Sequence, residues 1–257
     1  MSQPAQTDVL KEIARWLLGA RCAVAFTGAG LSTESGIPDF RSPGGVWEKF
    51  QPVMYDDFLA KAEARHEYWR QKSLAHREFA DAAPNAGHRV LARWQQAGLL
   101  RAVITQNIDG LHQIAGSENV VELHGTARAI ACIDCGSRFD VEPLVQQFLE
   151  TDQVPKCPDC TDGRLKHATI SFGQALNPEV LDQATRHAQQ ADLFFALGSS
   201  LVVEPAASLP RIAKQQGARL VIINRDPTQQ DARADAALHT SLGETLTAID
   251  VFVQGDG

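Results

Sequence analysis

Apolar residues along this chain fall into a repeating succession of two rhythms. Between positions 8 and 19 they recur at Val9, Leu10, Ile13, Trp16 and Leu17, a helical spacing that Gly19 can stop. A short unbroken apolar run, Ala23-Val24-Ala25-Phe26, follows and ends in Thr27-Gly28-Ala29-Gly30. The same succession returns three times. A helix over 88–98 leads to the strand Ala102-Val103-Ile104 and then Thr105-Gln106-Asn107. A helix over 178–190, with Pro178 in its first turn, leads to 193–197 and then Gly198-Ser199-Ser200. A helix over 205–216 leads to 219–223 and then Asn224-Arg225-Asp226. Continuous apolar strands alternating with helices predict an α/β fold, a Rossmann-like parallel sheet covered on both faces. Ligands of such sheets bind beyond the carboxyl ends of the strands, so four small or polar strand ends predict one shared pocket.

Two stretches break the rhythm. Residues 46–80 hold Trp47, Phe50, Tyr55 and Phe58, then a charged helical segment over 59–79; residues 126–168 hold two Cys-x-x-Cys pairs. They read as a smaller domain inserted into the sheet. The boundaries drawn are 1–45, 86–125 and 169–257 for the sheet domain, 46–85 for a helical insertion and 126–168 for a ribbon. In the ribbon Cys132 and Cys135 are separated by 21 residues from Cys157 and Cys160. Two tight turns, each pointing two thiolates at one ion, complete a tetrahedral shell, which predicts one structural Zn2+ with no open position for catalysis. Thioredoxin-type redox chemistry explains one pair and not both, and iron–sulfur ligation needs another spacing. Cys22 stands alone before a buried strand and reads as a core thiol.

Composition narrows the functional class. A chain of 257 residues supports one large domain with a small module attached. Lys plus Arg number 24 against 31 Asp plus Glu, a net charge of −7, which argues against a protein that binds nucleic acid by neutralising phosphates. No apolar run reaches the length of a membrane span. The first ten residues carry neither the basic nor the apolar region of a secretory leader, so a cytoplasmic protein is expected, acting as a monomer.

The loop after the first strand invites a phosphate. Gly28 and Gly30 let backbone approach closely, and a following helix N-terminus would supply N–H groups. Thr33 stands where a dinucleotide fingerprint wants a third small residue, and no P-loop lysine is present. The next segment, Gly36-Ile37-Pro38-Asp39-Phe40-Arg41-Ser42-Pro43-Gly44-Gly45, is long enough to fold over a ligand.

Taken together these stretches resemble the sirtuins, the NAD-dependent protein deacylases. The resemblance rests on 28–32 with 36–41, then Thr105-Gln106-Asn107-Ile108-Asp109-Gly110-Leu111-His112, Glu122-Leu123-His124-Gly125, the four cysteines, Phe172-Gly173, Gly198-Ser199-Ser200-Leu201 and Asn224-Arg225-Asp226, in order over nearly the whole chain. It implies that NAD and an acylated-lysine protein, bound as an extended strand, enter a cleft between the two domains. The cofactor side would be formed by Gly28, Ala29, Gly30, Ser32, Asp39, Phe40 and Arg41. Gln106, Asn107, Ile108 and Asp109 would take nicotinamide and ribose. Gly198, Ser199, Ser200, Asn224, Arg225 and Asp226 would take the phosphates and adenosine. Phe172, Gly173, Val203 and Glu204 would pair with the substrate backbone by β-augmentation.

The family route has the acyl oxygen attack the ribose C1′ as nicotinamide leaves. A base then activates a ribose hydroxyl, and the products are free lysine, nicotinamide and 2′-O-acyl-ADP-ribose. Histidine suits that base. Of eight histidines, His124 ends an apolar run just before the ribbon and faces the cleft; Asn107 would hold a ribose hydroxyl or a water. His112 reads as structural. The desuccinylating branch carries Tyr-x-x-Arg before Pro-Asn-Ala-Gly-His, and that register here holds Lys72 and Ala75, so neutral acyl groups are expected, acetyl foremost. The alternatives are mono-ADP-ribosyl transfer or longer-chain deacylation, and a non-catalytic NAD-sensing module.

Overall fold

The computed structural model describes residues 3–39, 51–79 and 81–255. Its helices are α1 (Gln3–Gly19), α2 (Tyr55–Ala60), α3 (Ala62–Phe79), α4 (Ala86–Gln96), α5 (Leu111–Ile114), α6 (Val141–Thr151), α7 (Pro178–Gln190), α8 (Leu209–Gln215) and α9 (Leu242–Gly255). The strands are β1 (Ala23–Thr27), β2 (Leu100–Thr105), β3 (Val120–Glu122), β4 (Gly125–Cys132), β5 (Arg138–Asp140), β6 (Leu165–Thr169), β7 (Leu193–Leu197), β8 (Arg219–Ile223) and β9 (Ala236–Leu238).

Six strands form one sheet in the order β3-β2-β1-β7-β8-β9, and every pairing in it is parallel. The chain order reverses between β1 and β7, which opens a crevice at their carboxyl ends, as in a Rossmann fold. Side chains alternate between two cores. Ala23, Ala25, Leu193, Phe195, Val221 and Ile223 pack on one face with α1, α4 and α9. Val24, Phe26, Phe194, Leu220 and Ile222 pack on the other with α7 and α8. Both faces are dry, which is why these strands read as unbroken apolar runs.

A second, antiparallel sheet has the order β5-β4-β6. It shares a core with α2, α3 and α6: Phe58, Tyr68, Trp69, Ile130, Val145, Phe148 and Leu165 form one cluster with Cys132 and Cys157. The buried Trp69 indole donates to the Leu165 carbonyl at 2.9 Å. Helical insertion and ribbon, far apart in sequence, are therefore one packed unit.

Local physics moves several expected boundaries. The helix expected over 205–216 is a 3-10 turn, Ala206–Ser208, followed by α8, whose first turn holds Pro210. Proline lacks the N–H that a continuous α-helix would use there. The charged segment is two helices, because Lys61 is extended between α2 and α3. Helix α4 starts at Ala86, where Asn85 forms a capping box with His88. Strands β3 and β9 are three residues each, too short to stand out as apolar runs. After β1 there is no long helix within the described residues before Asp39, only the 3-10 turns Ala29–Leu31 and Thr33–Ser35.

Candidate active site

One cavity of about 870 Å³ runs through the crevice between the two sheets. Its wall takes in Gly28, Ala29, Gly30, Ser32 and Asp39 after β1, Gln106 to Asp109 after β2, and Gly198 to Ser200 after β7. Asn224, Arg225 and Asp226 after β8, His124 between β3 and β4, and Phe172, Gly173, Val203 and Glu204 complete it. Every expected cofactor and peptide position that falls on described residues lines this space. Phe40 and Arg41 lie outside the described residues.

The glycine loop packs against a second strand-end turn. Gly28 and Gly30 donate their N–H groups to the carbonyls of Leu197 and Gly198, both at 2.9 Å. A Cβ on Gly28 would stand 2.7 Å from the Gly198 oxygen. One on Gly198, whose φ is +63°, would stand 2.4 Å from the Leu31 nitrogen. These glycines let two strand-end turns touch; their N–H groups are engaged by protein rather than held open for a phosphate. Asn85 secures the same loop from below, its amide donating to the Leu31 carbonyl at 2.7 Å and the Ser35 hydroxyl at 2.9 Å. That bracing role was unread in the sequence, although an Asn three residues before His is a capping signal.

Beneath the loop after β2 runs a buried polar chain. Asn107 Nδ2 donates to the Gly28 carbonyl (3.1 Å) and to Ser32 Oγ (3.0 Å), and Ser32 Oγ donates to Asp109 Oδ2 (2.7 Å). Asp109 Oδ1 also accepts the Leu111 N–H. With its amino group so engaged, Asn107 is left with its carbonyl oxygen as the acceptor it can offer a ligand. Gln106 Nε2 donates to Ser199 Oγ at 2.8 Å, joining the β2 and β7 turns. Deeper, His112 Nε2 meets Thr27 Oγ1 at 2.9 Å, Thr27 donates to Thr105 Oγ1, and the latter accepts the Asn107 N–H. His112 is fully buried, and burial pushes its pKa down to about 3, so it is a neutral packing residue as expected.

His124 is placed for a different task. Its Nδ1 lies 2.9 Å from the Gln106 carbonyl, an acceptor only, so Nδ1 carries the proton. Nε2 then keeps its lone pair. The ring is half-buried at the cavity wall. Burial lowers its pKa and the Gln106 carbonyl partly offsets that. The result is an oriented, neutral imidazole with one basic nitrogen at neutral pH.

At the β8 end of the cavity, Arg225 pairs with Asp226 at 2.9 Å and reaches Asp39 at 4.0 Å, which brings the segment after β1 against the β8 turn. After β6, Phe172 is 44% exposed at the cavity wall. Its carbonyl accepts the Tyr55 N–H, so α2 backs that edge.

The four ribbon cysteines place all their Sγ atoms within 4.8 Å of one another. Cys132–Cys160 and Cys135–Cys157 are each separated by 3.7 Å. Zn–S bonds of about 2.3 Å define a tetrahedron whose edge is about 3.8 Å, so the donor set fits zinc. Gly163 completes the cradle: a Cβ there would sit 2.4 Å from Cys160 Sγ and 2.5 Å from Cys132 Sγ.

A reversing parallel sheet, an inserted four-cysteine module and an oriented histidine between them define the class, a Rossmann-type enzyme whose site lies at a domain junction. The Sir2 family model matches residues 28–205. An NAD-dependent protein deacetylase of Rhodopseudomonas palustris is 48% identical over 248 residues, 96% of this chain and 98% of that protein. NAD-dependent protein deacetylase 1 of Bradyrhizobium diazoefficiens is 50% identical, over 88% of this chain and 89% of that protein. Among solved structures, a Sir2 complex with p53 peptide and NAD+ superposes with a TM-score of 0.86 at 37% identity, covering 96% of this chain and 98% of that one. Sir2Tm bound to a propionylated peptide gives 0.84 at 37%, with 96% and 98% covered. The chain belongs to the Sir2 family.

Proposed function

We propose that this Sir2 enzyme, an NAD-dependent protein-lysine deacylase, removes acetyl groups from lysines of proteins held as extended strands between Phe172-Gly173 and Val203-Glu204. The observation that carries the reading is His124, oriented by a main-chain carbonyl and facing the cavity that also takes in Asn107, Asp109 and the strand-end turns. Bound NAD supplies an electrophilic ribose carbon once nicotinamide departs, and the acyl group ends on ADP-ribose.

The chain's own residues divide the remaining work. Asn107 offers its side-chain oxygen to a ribose hydroxyl or to a water. Asp109, fixed by Ser32 and the Leu111 N–H, faces the nicotinamide carboxamide. Ser199, Asn224 and Arg225 take the phosphate and adenosine side. His124 Nε2 takes a proton from a ribose hydroxyl, with Nδ1–H held on Gln106 throughout. Zinc organises the ribbon and takes no part in the chemistry. Four thiols poised for a metal support a reducing compartment, the cytoplasm. The net charge of −7 supports lysine-bearing proteins over nucleic acid as partners.

The test is product analysis. Incubation with NAD and an acetyl-lysine peptide is expected to yield free peptide, nicotinamide and O-acetyl-ADP-ribose by mass spectrometry. ADP-ribosylated protein without deacetylated peptide would establish transfer to protein instead.

A further inference from the structure

Strand β6 carries a lysine that the functional assignment does not use. Lys166 is 2% exposed. Its Nζ donates to the main-chain carbonyls of His167 and Thr169 and to Gln174 Oε1. An ammonium has three donors, and three acceptors meet them here. Two of those acceptors bracket one turn. Thr169 closes β6, and Gln174 closes the turn that follows: its N–H donates to the Ser171 carbonyl at 3.0 Å and its Oε1 accepts the Ser171 N–H at 3.1 Å. Phe172-Gly173, the edge assigned above to substrate backbone, is the middle of that turn. The peptide group joining Thr169 to Ile170 is gripped from both sides. Its carbonyl accepts from Lys166, and its N–H donates to the His124 carbonyl at 2.8 Å. One ammonium therefore ties the Phe172-Gly173 edge to the segment that carries the base.

Among the described residues no carboxylate pairs with that ammonium, and its side-chain acceptor, Gln174, is neutral. Helix α3 sets Tyr68 and Lys72 against it: Lys166 Nζ lies 5.7 Å and Lys72 Nζ 5.9 Å from the Tyr68 ring centroid. His76, further along α3, is engaged by Glu142 at 2.8 Å. His167 follows Lys166 on β6, and β4 puts Ala131 opposite. Burial holds both Tyr68 and His167 neutral. Burial first, and the like charge of Lys72 second, pull the Lys166 pKa down to about 7. A neutral amine keeps two N–H donors, so one of the three acceptors is released when the proton leaves.

We propose that Lys166 is a positioning residue for the substrate: its ammonium holds the Ser171–Gln174 turn in place beside the His124 segment, so that affinity for an acylated peptide depends on that charge. The inference rests on the deacylase reading above. Lys166 touches neither NAD nor the acyl group; it acts through the main chain that meets the peptide. Because Gln174 brings no negative charge, the grip tightens as pH falls through neutrality and loosens as it rises.

The test is the affinity of a fluorescently labelled acetyl-lysine peptide, blocked at both ends and free of other titratable groups, read by anisotropy from about pH 6 to about pH 9. Wild type is expected to bind about tenfold more weakly at the alkaline end. Gln174→Glu sets a carboxylate against the ammonium and should move that weakening up by about one pH unit or more. Lys166→Arg stays charged throughout and should abolish it. Lys166→Met should bind at the acid end as weakly as wild type does at the alkaline end. A lysine that served packing alone would not make the pH dependence follow residue 174. Affinity that is flat in wild type, absent at every pH, or identical in its pH dependence in Gln174→Glu overturns the inference; should Lys166→Met fail to fold, Gln174→Glu decides alone. Nicotinamide release from the same peptide with NAD separates the two readings. Release with a pH-independent affinity leaves the deacylase reading intact, and no release at any pH removes both.

Discussion

Gly163→Ala is a one-carbon change aimed at the metal site. The new Cβ would arrive 2.4 Å from Cys160 Sγ and 2.5 Å from Cys132 Sγ, with Cys157 Cβ at 3.1 Å. Reaching even a very tight contact of 3.0 Å requires displacements of about 0.6 and 0.5 Å at the two sulfurs. Zinc sites tolerate only ~0.2 Å in ligand distance. Two of four thiolates would leave bonding range, or the backbone leading into β6 would have to shift and drag Leu165, which is fully buried, with it. Overpacking alone costs about 1–3 kcal/mol. At roughly 2–4 °C per kcal/mol for a chain near this size, that lowers the thermal midpoint by roughly 2–12 °C. Lost zinc adds to it, since Cys132 and Cys157 belong to the shared small-domain core. Gly136→Ala is the control: its φ of +83° costs about 1–2 kcal/mol, yet nothing stands within 4 Å of the added carbon. The assay is zinc per chain by elemental analysis, alongside a thermal melt. Near-stoichiometric zinc is expected in wild type and Gly136→Ala, and well under half an equivalent in Gly163→Ala. If Gly163→Ala keeps a full zinc and the wild-type midpoint, the argument from cradle geometry is wrong.

His124→Ala should fold and melt as the wild type does while deacylation falls about 10²–10⁴-fold, the usual worth of a general base; initial rates of nicotinamide release check it. Because burial lowers the His124 pKa, the acid limb of the kcat/KM profile should lie below the ordinary histidine value of about 6.5, and a limb above that value would contradict the assigned environment. Burial also holds His112 neutral, with its pKa at about 3, and His88 at about 4. Below pH 6.5 the unfolded chain binds protons that the folded one refuses, so stability should fall as pH drops from about 6.5 towards 4. His112→Gln should flatten that fall in urea titrations at pH 7.5 and pH 5. Asp250 is 5% exposed and accepts from Trp94 Nε1 at 2.8 Å and Arg93 at 2.6 Å, joining α9 to α4. Asp250→Ala strands a buried indole N–H and should cost about 1–3 kcal/mol by urea denaturation, with Asp250→Asn costing less.

Legibility in the sequence followed the range over which each feature is encoded. Strands buried on both faces announce themselves within five residues, as 193–197 and 219–223 did, and so do the paired cysteines. His124 was different: its place at the end of an apolar run, just before the ribbon, set it apart among eight histidines, but the role of a base came from the resemblance to a known family. The glycine loop has a second reason for its glycines that no local pattern encodes, because its packing partner, Gly198, lies about 170 residues away. The contact between α3 and β6 was invisible for the same reason on a larger scale. Tyr68 and Lys72 meet Lys166 and His167 only because α3, α6 and the ribbon condense around Trp69 and Phe148, a core whose members are scattered over 58–165.

The carbonyl that orients His124 belongs to the main chain of Gln106. No amino-acid exchange at position 106 can delete it, since every residue carries the same oxygen. The Gln106 N–H is itself anchored on the Thr27 carbonyl, one strand over. The tautomer of the base is therefore inherited from the register of the central strands. Point mutation can remove the imidazole, but an insertion or deletion that slips β2 against β1 is what would turn a correctly chosen residue into an idle one.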